Sequence, residues 1–63
     1  MNLFRVRYFT AEGKGEAIVV GDNAAKVTAV IKRELDVTNS RIRRIDTDVG
    51  EGKEKILRKW NVV

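Results

Sequence analysis

The sequence contains no cysteine, no histidine and no proline. Without cysteine there is no disulfide, no thiolate nucleophile and no cysteine-based zinc site, which favours a reducing compartment. Without histidine the chain lacks the commonest general acid/base near neutral pH and the commonest nitrogen ligand for transition metals. Long apolar runs are also missing. Arg5 and Arg7 interrupt the first segment where a signal peptide needs unbroken hydrophobicity, and no later stretch approaches the roughly 20 apolar residues of a membrane span. The expectation is a cytoplasmic protein without a membrane partner or a cofactor.

The 63 residues form a basic chain, with 13 Lys and Arg against 9 Asp and Glu and a formal charge of +4. Hydrophobic residues at 43% and charged residues at 35% suit one small folded α+β domain covering 1–63. A core of this size supplies no more than about 3 to 5 kcal/mol after chain entropy. Tight packing, self-association as a homodimer or a bound partner are the available supplements.

With proline absent, the glycines at 13, 15, 21, 50 and 52 are the strong punctuation. Residues 3–9 alternate, with Phe4, Val6 and Tyr8 on one side and Arg5 and Arg7 on the other, which is the period of a strand with one buried face. Ala17-Ile18-Val19-Val20 is its hairpin partner, joined through Thr10 to Glu16. Asp22, or Asn23 as a second candidate, caps a helix reaching about Leu35, in which Ala24, Val27, Val30, Ile31 and Leu35 form the apolar stripe. Arg41 to Asp46 forms a third strand, with a bulge near Arg43-Arg44 to bring both Ile42 and Ile45 to the core.

Residues 53–63 fit two patterns. Asp48 and Glu51 match a capping box, and Val49, Ile56, Leu57 and Trp60 then share a helical face, which favours a short helix. A second hairpin across Gly50 to Lys53, with a strand from Ile56 to Val63, is the competitor. The expected fold is ββαβ: a three-stranded antiparallel sheet in the order 2-1-3, one helix on one face, and a short C-terminal helix or fourth strand. The second and third strands would be its edges, with Ile18 or Val20 exposed there.

The sheet face opposite the helix is the most informative surface. Arg5 and Arg7, with Arg41 and one of Arg43 or Arg44, form a set of guanidinium groups suited to phosphate oxygens. Lys14 on the hairpin adds an auxiliary phosphate contact. A strand pair also fits the major groove of B-DNA, so DNA or RNA is the leading partner. The competing readings are a solvated face kept from stacking by its charge, an acidic protein partner, and a homodimer formed through an exposed strand edge. If Arg5 and Arg7 serve only binding, replacing both with serine leaves the melting temperature unchanged.

Other motifs carry less. Glu12-Gly13-Lys14-Gly15-Glu16 lacks the spacing of a P-loop and fits a turn. Asp46 to Gly52 opens like a calcium loop but has glutamate where the essential glycine belongs. Phe4, Tyr8 and Trp60 are expected in the core, whereas Phe9 shares parity with Arg5 and Arg7 on the open face. No nucleophile, acid and base set is evident, so the protein is expected not to be an enzyme.

Overall fold

The computed structural model describes residues 1–35, 37–47, 49–50 and 52–62. Its elements are β1 (Asn2–Thr10), β2 (Gly13–Gly21), α1 (Ala24–Glu34), β3 (Val37–Asp46) and β4 (Lys55–Val62). They form one antiparallel sheet in the order β3-β1-β2-β4, with α1 on one face. The expected three-stranded sheet is therefore corrected to four strands. β1 lies between β2 and β3, but β2 is interior because β4 covers its outer side. The edges are β3 and β4, so Ile18 and Val20 do not lie on a free edge.

The hairpin is tighter than the glycine spacing suggests. Register runs unbroken from Asn2 opposite Gly21 to Thr10 opposite Gly13, leaving Ala11 and Glu12 as the turn. Gly13 has φ 143°, a conformation a side chain would disfavour. The Thr10 hydroxyl closes the turn by accepting from the Glu12 N–H at 3.2 Å and donating to the Gly13 carbonyl at 3.1 Å. Lys14 and Gly15 consequently belong to β2 and not to the connection.

Helix α1 is capped by Asn23, the second candidate, whose Oδ1 accepts from the Lys26 N–H at 2.9 Å. Asp22 instead pairs with the Lys26 ammonium at 3.2 Å, one turn along. Val27, Val30 and Ile31 are buried, Leu35 packs at the margin, and Ala24 is exposed. Lys32 and Arg33 occupy the last turn, where positive charge complements the helix dipole.

All core side chains lie between α1 and one sheet face. Phe4, Val6 and Tyr8 from β1 meet Val19 and Ala17 from β2 and Val27, Val30 and Ile31 from the helix. Gly15 is opposite Tyr8, and a Cβ there would lie 2.6 Å from the Tyr8 ring, so the missing side chain is what lets the ring close over β2. Ile42 and Ile56 pack against the same core from the outer strands.

Three register shifts adjust the edges, one of them between Phe9 and Thr10, where Thr38 is the extra residue. The β1–β3 register shifts between Leu3 and Phe4, which leaves Ile45 as the extra residue, 47% exposed. The expected bulge exists, but beside Ile45, and it releases that isoleucine from the core. The β2–β4 register shifts between Ile18 and Val19, leaving Leu57 as the extra residue on β4.

The expected C-terminal helix is a strand. Lys55 to Arg58 favours helix locally, but Gly50 and Gly52 adopt φ 122° and 142°, incompatible with a helical first turn. Ile56 gains the core only by pairing along β2. The proposed cap residues Asp48 and Glu51 lie outside the described residues. Nor is there a β3–β4 hairpin, since the connection carries the chain from one sheet edge to the other past the start of β1. Along it the Met1 amino group donates to the Gly50 carbonyl at 2.7 Å and the Val49 N–H donates to the Met1 carbonyl at 3.0 Å. Among the described residues, no helix is long and apolar enough to cross a membrane.

Candidate functional site

The face away from α1 is assembled from one side of all four strands, and the registers place its residues in rows. Asn39, Phe9, Lys14 and Val62 form the row nearest the hairpin turn. Arg41, Arg7, Glu16 and Trp60 form the second, and Arg43, Arg5, Ile18 and Arg58 the third. Asp46, Leu3, Val20 and Lys55 complete the face beyond the bulges.

This arrangement segregates charge that the sequence intersperses. Among the described residues, seven of the 13 cationic side chains stand on the face with two of six carboxylates, a local charge of +5. The other described residues carry six cations and four carboxylates, a charge of +2. Cations dominate the β3 and β1 side, while Ile18, Val20, Trp60 and Val62 give the β2 and β4 side an apolar character.

Glu16 is the exception in the middle of the face. Its Oε2 accepts from Arg5 Nη2 at 3.0 Å, and its Oε1 accepts from Arg7 Nε at 3.2 Å. Its side chain is 8% exposed, against 52% for Arg5 and 61% for Arg7. The Arg5 hydrogen bond is the largest influence on the carboxyl, followed by an opposing desolvation and then by the charges of both arginines, and the balance holds its pKa below the usual glutamate value. Arg5 and Arg7 are thus partly neutralised from within the sheet. Arg41 and Arg43 make no ion pair among the described residues. Together with Arg5, Arg7, Glu16 and Ile42 they line a shallow depression of about 330 Å³.

The sequence-derived set therefore divides. Arg5, Arg7, Arg41, Arg43 and Lys14 share the open face, with Arg43 opposite Arg5 and Arg41 opposite Arg7. Arg44 is opposite Phe4 on the helix side and lines a separate depression with Asn2, Asp22 and Asn23. Trp60, expected in the core, is opposite Glu16 on the open face and half-buried. The Arg58 guanidinium lies 5.9 Å from the centroid of its ring, within cation–π range. Phe9 is 37% exposed on the same face, as its parity implies.

Arg58, Trp60, Lys55 and Val62 are face residues that the helical reading of the C-terminus obscured. Their signal was the alternation of Arg58, Trp60 and Val62, which has strand period. The calcium-loop candidate includes Asp48 and Glu51, outside the described residues. No known family model, curated protein or solved structure matches this chain, so the chemistry of the face rests on its own geometry.

Proposed function

We propose that this chain is a non-catalytic nucleic-acid-binding module whose contact surface is the open sheet face. The observation that carries the proposal is the gathering of charge, with +5 among the described residues on a face that also presents Trp60 and Phe9. Such a surface attracts a polyanion over a distance set by ionic strength and offers aromatic and guanidinium groups at contact. Arg41 and Arg43 are the principal phosphate contacts, because Arg5 and Arg7 divide their hydrogen bonds between Glu16 and a ligand. Lys14 and Arg58 extend the contact to the interior strand β2 and the opposite edge.

Self-association through the strand edges is less favourable. A β3 edge meeting its own copy brings Arg41, Arg43 and Arg44 near their equivalents, and a β4 edge does the same with Lys55, Arg58 and Lys59. Stacking two open faces opposes +5 to +5.

The proposal is tested by titrating isotope-labelled protein with nucleic acid at low and moderate salt and following the backbone amides. The expected result is a set of shifts along residues 3–9, 39–43 and 58–62 that weakens as salt rises. An absence of shifts with protein near ~100 μM at low salt places affinity below ordinary non-specific binding, overturns the proposal and leaves an acidic protein as the partner to seek.

A further inference from the structure

We infer that the open face takes a single strand in preference to a duplex, with bases stacked on Trp60 and Phe9. The inference rests on the nucleic-acid reading above and narrows it to a substrate class.

Strands in a sheet lie about 4.8 Å apart, so the axes of the outer strands of this sheet are separated by roughly 14 Å before side chains are counted. The major groove of B-DNA is about 12 Å wide and admits a helix or a two-stranded ribbon, and the major groove of A-form RNA is narrower. A strand pair alone would enter the DNA groove. β1 and β2 are the two central strands here, flanked on both sides by β3 and β4, so that route is closed. Helix α1 is no substitute, because it covers the opposite face from Arg41, Arg43 and Trp60.

Phe9 and Trp60 stand two strands and two residues apart, roughly 12 Å by sheet geometry. Lys14 is directly opposite Phe9 and diagonal to Trp60, between the two rings. Unstacked bases can lie flat on such rings with a lysine at the phosphates joining them, whereas paired bases keep their faces inside the helix stack. Arg41 and Arg43, along the β3 side, then take phosphates of the same strand. The Arg58 guanidinium now beside the Trp60 ring occupies the place a base would take, and a base arriving there releases it toward a phosphate.

Trp60 is the sole tryptophan, so its emission reports the contact directly. The probe is an end-labelled single strand of about 12 nucleotides, a length within known single-strand site sizes, compared with the same strand annealed to its complement. Label anisotropy gives affinity, and Trp60 emission gives stacking. The expected result is tighter binding of the single strand with quenching of Trp60. Trp60→Ala then weakens binding by about five- to a hundredfold, the usual range for a lost base stack, and Trp60→Phe restores most of it. Phe9→Ala, outside the core, reports on the same platform if Trp60→Ala disturbs β4. A duplex bound as tightly as the single strand, with Trp60 emission unchanged, overturns this inference and leaves the nucleic-acid reading standing. Single-strand binding that neither quenches Trp60 nor responds to Trp60→Ala and Phe9→Ala overturns the stacking platform. Failure of both probes to bind overturns the broader reading.

Discussion

Glu16 and Arg7 face one another directly across β1 and β2 and are joined at 3.2 Å, with the carboxylate nearly buried and the guanidinium mostly exposed. Arg5 completes the cluster from the next row at 3.0 Å. A carboxylate at the centre of a basic face has two consequences. It orders two arginines in fixed positions, and it removes part of their charge from any ligand.

Replacing Glu16 with glutamine separates these consequences. Nucleic-acid affinity should rise, and its salt dependence should steepen, because Arg5 and Arg7 recover their full charge. Stability has a defined pH signature as well. The folded-state pKa of Glu16 is lowered, so its contribution is complete above the ordinary glutamate value of the unfolded chain and is lost as pH falls through the lower folded value. Thermal melts between neutral pH and acid should show a shallower acid decline in Glu16→Gln than in the parent. An identical decline in both would remove Glu16 from the account of acid stability.

The two pairs of arginines should behave differently. Arg41→Ser with Arg43→Ser removes side chains without ion-pair partners among the described residues, so binding should weaken while the melting temperature stays near the parent's. For a single strand, losing two phosphate contacts should lower the slope of log affinity against log salt by about 1.4. Arg5→Ser with Arg7→Ser should lower the melting temperature too, because it strands the Glu16 carboxylate within the sheet. The sequence-based expectation of unchanged stability for that double variant is thereby revised.

Gly15→Ala tests the contact between Tyr8 and β2. The added methyl meets the Tyr8 ring at 2.6 Å and the Trp60 carbonyl oxygen at 2.9 Å, so ring and backbone must both shift. Destabilisation of about 1 to 3 kcal/mol is expected from such overpacking, measurable by urea unfolding. Gly13→Ala meets no atom within 4 Å, and its cost should come from φ 143° alone.

Asn23→Ala should destabilise the fold by about 1 kcal/mol, the usual value of a helix N-cap. Asp22→Ala removes only an exposed pair with Lys26 and should cost less in the same unfolding assay. A reversal of that order would return the cap to Asp22.

The local patterns carried much of this fold. The alternation in residues 3–9 defines β1 and separates Phe4, Val6 and Tyr8 from Arg5 and Arg7, because a strand has a strict period of two. The stripe Val27, Val30 and Ile31 defines α1, because three- and four-residue spacings share a helix face. Position 43 or 44 could not be chosen from sequence. That choice depends on where the β3 bulge falls, and the β1 register places it at Ile45, leaving Arg43 on the open face and Arg44 on the helix side.

The amino-acid sequence by itself determined β1, its hairpin with β2, α1, the centre of β3 and the two-sided character of β1, since each follows from residue pattern within one segment. Tertiary structure alone decided the rest. Residues 55–62 have local preferences compatible with a helix, and only the unpaired outer side of β2, far away in sequence, makes them a strand. That pairing moves Trp60 and Arg58 to the open face and makes β4 an edge. Charge segregation has the same origin: among the described residues, seven cations come to share a face with two of six carboxylates only when four strands lock in register.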